Sequence, residues 1–330
     1  MEKNNYQGTL QQAIGSGFNA KSTANEVVNN ICLTGKTVVV TGGNTGIGLE
    51  TTRVLAAAGA TVIVPARNIE KAKQNLQGLA NVEITEMDLM SPLSIDAFAN
   101  HFIASGRPLH LLINNAGIMW VPLRRDERNI ESQLATNYLA LFQLTARLWP
   151  ALKKANGARV VNVSSHGHHF APFDFDDPNF LNREYETLLG YGQSKTAVNL
   201  FSVELDIRGR SSNIRTYAVH PGSISGTELG REAPLEMFQK MGFVDADGHM
   251  LPEIAASLKS VPQGAATTVW CATSPLLDHI GGVYCEDGDI AEVSSDINHK
   301  KGVNPYSLDE NYAKKLWKLS EEMSGIVFRP

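Results

Sequence analysis

A β-branched run that passes directly into a glycine-rich turn is the feature that most constrains the fold of this chain. Val38–Val40 has no polar break, which is typical of a strand buried on both faces of a sheet. The turn 41–48 follows at once, with the spacing TGxxxGxG, and apolar positions then recur at helical spacing. A buried strand, a tight glycine turn and a helix predict the first unit of a parallel α/β sheet.

The alternation of strands and helices continues along most of the chain. Strands are expected at 61–66, 82–86, 109–113, 159–163, 214–219 and 282–285. Helices are expected at 69–79, from Ser91-Pro92 onward, at 130–148 and at about 190–207. The pattern predicts an α/β, doubly wound Rossmann fold, with a parallel sheet of about seven strands and helices on both faces.

We expect one domain with an extension at each end. Residues 1–32 form the N-terminal extension, with a short helix that Ser22 or Thr23 would cap together with Glu26. The Rossmann domain spans 33–287 and includes an irregular substrate-side region at about 223–261. Residues 288–330 form a C-terminal extension, with helical spacing at about 308–323.

The composition narrows the classes of protein to which the chain can belong. The net charge at pH 7 is -5 and no long basic cluster occurs, so nucleic acid is not expected as a partner. Three cysteines without CxxC spacing favour a reducing compartment over disulfides or a zinc site. The longest apolar stretch, 109–121, is interrupted by two asparagines, and the first residues carry no apolar run. We therefore expect a cytoplasmic protein with no membrane span.

Two local patterns point to chemistry. Glycines between a strand and a helix let the backbone approach a pyrophosphate, although a glycine turn alone can be simply a tight connection. Tyr191 and Lys195 lie one helical turn apart, and a neighbouring cation favours the ionised form of a phenol. A solvated helix face could carry the same pair, so these residues need support from the rest of the chain.

Further features occur in the order found in the short-chain dehydrogenase/reductase family, which the TGxxxGxG spacing resembles. They are Asp88-Leu89, Asn114-Asn115-Ala116-Gly117, Asn137, Ser164-Ser165, the YxxxK pattern of Tyr191 and Lys195, and Pro221-Gly222. The resemblance covers about 33–287, and the glycine spacing is similar to that of the compact branch of the family. It implies a nicotinamide dinucleotide as the cofactor.

The cofactor is expected to be NADP(H) in preference to NAD(H). An arginine after the second strand can pair with the 2'-phosphate of NADP, and Arg67 lies there, although it could also be only a solvated residue at a helix start. The cofactor-binding residues that the resemblance implies are Gly42, Asn44, Thr45, Gly46, Ile47, Gly48, Arg67, Asp88, Leu89, Asn115, Ala116, Gly117, Tyr191, Lys195, Pro221, Gly222, Ser223, Ile224 and Thr227, with Ser225 as an alternative to Thr227.

The resemblance also assigns catalytic roles to four residues. Tyr191 would exchange a proton with the substrate oxygen, while Lys195 lowers the pKa of that tyrosine and holds the ribose. Ser165 would hydrogen-bond the reacting oxygen, and Asn137 would connect a water-borne proton path to the lysine. The expected function is NADP(H)-dependent interconversion of a carbonyl group and an alcohol. The alternative is a catalytically weak regulatory protein that binds NADP(H) on the same fold.

The substrate side is expected to be apolar. The segment between Ser165 and Tyr191 resembles that of retinol-dehydrogenase-like and WW-domain-oxidoreductase-like members, and 17–27, GFxAxSTAxEV, is similar to chloroplast-translocon-associated dehydrogenases. A hydrophobic ketone, aldehyde or secondary alcohol would suit such a pocket. The expected contacts are Ser165, His166, His168, Phe170, Met237 and Phe238, with Trp120 and Phe173 as further candidates, and core packing is the alternative for each aromatic residue.

No metal is expected, because the histidines at 166–169 and the aspartates that follow them are crowded on one loop and lack the spacing of a zinc site. The expected partner is a small-molecule substrate, either a carbonyl compound or an alcohol. Members of the family commonly pair through two long helices, here at about 130–148 and 190–207. A homodimer or homotetramer is compatible with the resemblance, and so is a monomer, which also occurs in this subgroup.

Overall fold

The computed structural model describes residues 4–6, 9–225, 227–295 and 301–330. The strands are β1 Asn4–Tyr6, β2 Thr9–Leu10, β3 Thr37–Val40, β4 Thr61–Ala66, β5 Val82–Glu86, β6 Leu111–Asn114, β7 Ala158–Val163, β8 Ile214–His220, β9 Val283–Glu286 and β10 Asp289–Ile290. The helices are α1 Ala24–Val28, α2 Gly46–Ala57, α3 Ile69–Asn75, α4 Pro92–Ala104, α5 Ser132–Leu134, α6 Ala140–Lys154, α7 Thr187–Gly209, α8 Leu235–Lys240, α9 Pro252–Ser257, α10 Val261–Thr273 and α11 Glu310–Ser324. A π-helical turn, Ala135–Leu139, joins α5 to α6, and 3-10 turns lie at His166–Phe170, Arg210–Ser212, Pro275–Leu277 and Pro305–Leu308.

The main sheet confirms the predicted doubly wound fold. Its eight strands are ordered β10-β9-β8-β7-β6-β3-β4-β5. All neighbours pair in parallel except β10, which pairs with β9 in the antiparallel sense, so seven strands form the parallel sheet. The strand order reverses between β3 and β6, which places a crevice outside the carboxyl ends of these two strands.

Helices cover both faces of the sheet, and each face has its own apolar cluster. One cluster draws on α1, α2, α3 and α10, and the other on α4, α6, α7 and α11. The sequence did not predict α10. Its side chains from 264 to 272 are all buried, so it lacks the polar face that makes a surface helix visible in a sequence.

Most predicted elements are present, with shifted boundaries. The expected helix at 130–148 begins at Ser132, passes through the π-helical turn and continues beyond Pro150 to Lys154. The helix expected at 69–79 ends earlier, at Asn75. In the N-terminal extension, Thr23 and Glu26 form the predicted capping box of α1.

Both extensions pack onto the sheet domain. The Gln11 side chain follows the edge of β9: it donates to Tyr284 O (2.7 Å) and Ala291 O (2.6 Å) and accepts from Tyr284 N (3.0 Å). At the other end of the chain, Trp317 of α11 is buried against Phe201 and Phe142. α11 therefore covers the outer faces of α6 and α7.

None of the helices that the structure describes is both long and apolar enough to cross a bilayer.

Candidate active site

The structure brings Tyr191, Ser165 and Lys195 together at the carboxyl end of β7. Tyr191 and Lys195 lie one turn apart in α7, and both are almost fully buried. The Tyr191 hydroxyl hydrogen-bonds the side chain of Ser165. Lys195 Nζ donates to Val163 O (2.9 Å) and lies 5.7 Å from the centroid of the Tyr191 ring. The pair predicted from spacing is therefore a buried unit, not a solvated helix face.

Asn137 lies in the π-helical turn, and its side-chain amide is held on both sides. Its Oδ1 accepts from Ile118 N (2.8 Å), and its Nδ2 donates to Ile118 O (2.9 Å) and to Ser194 Oγ (3.0 Å). Gly117 separates this amide from the lysine, since a Cβ built there would lie 3.1 Å from Asn137 Oδ1 and 3.6 Å from Lys195 Nζ. Single π-helical turns of this kind are frequent at functional sites.

Burial dominates the electrostatics of this group. It raises the pKa of Tyr191 to about 12, and the hydrogen bond with Ser165 acts in the opposite direction. Burial also lowers the pKa of Lys195 to about 8. The lowering of the Tyr191 pKa expected from Lys195 is not seen in the protein alone, where burial outweighs the effect of Ser165. Ser165 Oγ accepts from Gly167 N (3.0 Å), which fixes its orientation.

The glycine turn occupies the crevice between β3 and β6. Gly42 and Gly46 have positive φ values of 63° and 51°. A Cβ on Gly48 would lie 2.2 Å from Gly42 O, so only glycine allows this close approach. Thr45, the N-cap of α2, makes no side-chain capping bond, so the first N–H groups of this 12-residue helix lack a capping side chain. An anionic pyrophosphate fits this arrangement.

Thr41 joins the two sides of the crevice and was missed as a site residue. Its Oγ1 accepts from Asn115 N and Ala116 N, each at 3.0 Å, and Asn115 Nδ2 donates to Thr41 O (3.0 Å). Thr41 begins the TGxxxGxG pattern, so the motif itself carried the signal. These bonds set Asn115 and Ala116 beside the glycine turn, where the sequence had placed them.

The remaining predicted cofactor residues lie along the same edge of the sheet. Arg67 is exposed directly after β4 and makes no ion pair with any residue that the structure describes. Asp88 lies just after β5, where its Oδ1 accepts a hydrogen bond from Met90 N. Leu89 is buried. After β8, Pro221 is buried and Gly222 lies against the Lys259 side chain.

The loop after β8 continues over the glycine turn. Ser223 O accepts from Lys259 N (2.8 Å), and Ile224 packs with Ile47 above Gly264. The Thr227 side chain lies 3.7 Å from where a Cβ on Gly46 would be. Thr227 is therefore next to the glycine turn. Asn44, which belongs to this turn, accepts a hydrogen bond at its carbonyl from Asn75 Nδ2 (3.0 Å).

An aromatic cluster forms on the substrate side. Trp120 lies 5.4 Å from Phe238 and 6.2 Å from Phe243, measured between ring centroids. Phe238 also approaches Gly230 next to Met119. Trp120 has a positive φ of 57°, an unfavourable backbone for a bulky residue, and its backbone N–H donates to Gln133 Oε1 (2.9 Å). Met237, His166 and Phe170 are half-buried.

Two of the residues expected on the substrate side are packed inside the protein. His168 is fully buried, and both ring nitrogens bond backbone groups, Ser165 O (2.7 Å) and Asn304 N (3.1 Å), so its ring is not free to line a pocket. Phe173 is buried in the core beside Phe175 of the same loop, with a centroid distance of 4.9 Å.

Within the described residues, the side chains that could together hold a metal ion do not lie on the loop of histidines at 166–169. They are Asp245, Asp247 and His249, on a turn between α8 and α9. Asp245 Oδ1 accepts from the backbone N–H of both other residues, at 3.0 Å and 2.8 Å, which is the geometry of an ordinary polar turn. The expectation that no metal takes part stays a prediction.

Comparison with known proteins adds an independent finding. The short chain dehydrogenase family model matches residues 36–176. The chain is 41% identical over 292 residues to a probable oxidoreductase of Streptomyces lividans, covering 86% of this chain and 96% of the relative. It is 35% identical to human retinol dehydrogenase 12, covering 90% and 89%, and 35% identical to the chloroplastic short-chain dehydrogenase TIC 32 B of Brassica napus, covering 92% and 93%.

Proposed function

Since this chain belongs to the short-chain dehydrogenase/reductase family, we propose that it is an NADP(H)-dependent oxidoreductase that interconverts a carbonyl group and an alcohol on a hydrophobic small molecule. The observation that carries the proposal is the hydrogen bond between the buried Tyr191 and the half-buried Ser165, with the buried Lys195 one helical turn away. A protein that only binds a dinucleotide needs no such group of proton-transfer residues.

Tyr191 is the residue that exchanges a proton with the substrate, at its phenolic oxygen. Ser165 lies within hydrogen-bond reach of that oxygen, so both hydroxyls can hold one substrate oxygen between them. When bound, the nicotinamide supplies or accepts the hydride. Lys195 uses one N–H on Val163 O and keeps its other N–H groups for a ribose and for favouring the phenolate.

Asn137 belongs to the path by which Tyr191 would regain or release the proton that it exchanges with the substrate. Its amide is fixed by Ile118, and Gly117 leaves the space between this amide and Lys195 Nζ without a side chain. A water molecule in that space would bridge Lys195 Nζ and Asn137 Oδ1, as a first link of the water-borne proton path that the family resemblance implies.

The proposed test of catalysis is Tyr191→Phe, which removes one oxygen atom. We expect turnover to fall by at least about 100-fold, the usual contribution of general acid–base catalysis. NADPH binding, measured by the quenching of protein fluorescence, should stay close to that of the unchanged protein. A fully active variant would refute the mechanism, whereas an unchanged protein that binds NADPH but reduces no carbonyl compound would favour a regulatory role.

The preference for NADP(H) rests on Arg67. Its guanidinium is exposed at the carboxyl end of β4, beside the crevice that holds the glycine turn, and has no acidic partner in the described ranges. A planar guanidinium pairs well with a phosphate in this position. Arg67→Asp should reverse the ratio of kcat/KM with NADPH to that with NADH. A ratio that this substitution does not change would exclude the assignment.

A hydrophobic substrate is proposed from the aromatic cluster of Trp120, Phe238 and Phe243. Trp120 comes two residues after Ile118, the residue that holds Asn137, so the cluster starts next to the catalytic group. Relatives named retinol dehydrogenase suggest the same class. NADPH oxidation with nonanal, all-trans-retinal and acetophenone, against glyceraldehyde as the polar control, tests it. Preferential turnover of glyceraldehyde would contradict the proposal.

A further inference from the structure

His168 is a buried histidine to which the proposed reaction assigns no role. It is fully buried in the 3-10 turn that follows Ser165. Asn304 N donates to its Nε2 (3.1 Å), so this nitrogen carries no proton. The proton of the neutral ring is therefore on Nδ1, which donates to Ser165 O (2.7 Å). A single tautomer satisfies both bonds, and one ring joins two segments of the chain that are far apart in sequence.

The second of these segments, residues 302–308, lies across the turn and is called the C-terminal strap here. His169 Nε2 lies 3.1 Å from Gly302 O, and Tyr306 Oη donates to His168 O (2.5 Å). The strap is anchored at its start, where Gly302 N donates to Glu286 Oε1 (2.7 Å). It is anchored again at Ser307, whose Oγ accepts from Asn199 Nδ2 of α7 (3.3 Å).

The 3-10 turn at 166–170, which the strap contacts, positions the two hydroxyl groups of the candidate active site, those of Ser165 and Tyr191. Ser165 Oγ accepts from Gly167 N, so the orientation of the serine follows the turn. Gly167 also touches the Tyr191 ring, since a Cβ at this glycine would lie 2.5 Å from Tyr191 Cε1. A shift of the turn would therefore move the serine and release one side of the tyrosine.

We propose that His168 is a positioning residue for the reaction, which transmits the placement of the C-terminal strap to Ser165. This inference rests on the proposed function, because it assumes that Ser165 holds the reacting oxygen. Burial and the neighbouring His169 also keep the pKa of His168 well below its usual value, so the ring stays neutral and keeps its acceptor nitrogen.

The sharpest test removes one N–H group. Asn304 has φ -73° and ψ 134°, a backbone that proline adopts, and Val303 before it lies in an extended bridge. Asn304→Pro deletes the donor to His168 Nε2, whereas Asn304→Ala keeps this N–H and is the matched control. We expect kcat for the reduction of nonanal, or of all-trans-retinal if nonanal is not reduced, to fall about 10- to 100-fold in Asn304→Pro. KM for NADPH should change by less than about 2-fold, because the glycine turn is untouched.

A second pair of variants tests the bond to Ser165. His168→Asn keeps an amide N–H near the position of Nδ1, and His168→Leu keeps neither bond, so His168→Asn should retain more of kcat. The pH profile adds a readout that a purely structural role would not change. The bond from Ser165 lowers the Tyr191 pKa, so a displaced serine should shift the profile for alcohol oxidation to higher pH.

Two results would overturn the inference. One is a folded Asn304→Pro or His168→Leu protein with the kcat and pH profile of the unchanged enzyme. The other is an equal loss in Asn304→Ala and Asn304→Pro. The unchanged protein and Ser165→Ala separate this inference from the proposed function: if the unchanged protein reduces neither nonanal nor all-trans-retinal, the proposed function is wrong. If Ser165→Ala is fully active, the role of Ser165 is wrong and this inference falls with it. If Ser165→Ala is inactive while Asn304→Pro is normal, only the role of His168 is wrong.

Discussion

Replacing Lys195 by methionine should remove activity and, near neutral pH, should not destabilise the protein. The Lys195 side chain is only 4% exposed, and burial lowers its pKa from 10.5 to about 8. A pKa lowered by this amount corresponds to about 3 kcal/mol of free energy against the charged form in the folded state. Methionine is an unbranched side chain of similar length that carries no charge, so this cost disappears in Lys195→Met.

The bond from Lys195 Nζ to Val163 O (2.9 Å) opposes this gain. Its removal leaves the carbonyl without that donor, at a cost of about 1 to 3 kcal/mol. The free energy of unfolding at pH 7 should therefore change by only about 0 to +2 kcal/mol. Most substitutions of buried residues that make a hydrogen bond are destabilising, so a neutral or stabilising result would be informative.

The pH dependence separates the two contributions. The pKa of Lys195 is about 8 when folded and 10.5 in its ordinary state, so between these values the unfolded chain binds more protons and stability rises with pH. The cost of the buried charge is complete below about pH 8 and absent above about pH 10.5. The stability of Lys195→Met relative to the unchanged protein should therefore fall by about 2 to 3 kcal/mol between pH 7 and pH 10, so that the variant becomes the less stable of the two.

Thermal unfolding of both proteins at these two pH values provides the assay, since the titration of all other groups cancels in the difference. The difference in Tm should change by a few degrees for a chain of this size. Lys153→Met is the matched control, because Lys153 is exposed at the end of α6. A Tm difference for Lys195→Met that is the same at both pH values would refute the buried-charge reasoning. The kcat should fall by at least about 100-fold.

Four other predictions concern the cofactor site, the core, the oligomeric state and metal. Gly48→Ala places a methyl group 2.2 Å from Gly42 O and should raise KM for NADPH by more than about 10-fold, as cofactor titrations would show. Trp317→Ala should lower the stability by about 3 to 5 kcal/mol, measured by thermal unfolding, since its ring is buried between Phe201 and Phe328. The 330-residue chain should be monomeric by light scattering, because α11 packs on α6 and α7, the two helices through which family members commonly pair, and deletion of 309–330 should cause association. EDTA should leave activity unchanged; its loss would indicate a role for Asp245, Asp247 and His249.

The sequence by itself determined the fold class and the family, and it predicted the reaction type and the four residues of the catalytic group. These properties depend on patterns with a short range. A β-branched run followed by a glycine turn can form only a few structures, and a spacing of four residues puts Tyr191 and Lys195 on one helix face. The order of the motifs along the chain then supplied the rest, because parallel strands bring their carboxyl ends to one edge of the sheet.

Only the tertiary structure decided how the catalytic group is held and which surfaces are covered. The bond between His168 and Asn304 joins residues separated by 136 positions, and no spacing rule predicts it. The same is true of α11, whose apolar side was visible in the sequence but whose partners, α6 and α7, were not. Burial also changed the electrostatics, since a lysine that looked like an exposed cation has a pKa of about 8. Desolvation depends on the whole of the surrounding protein, so local sequence cannot reveal it.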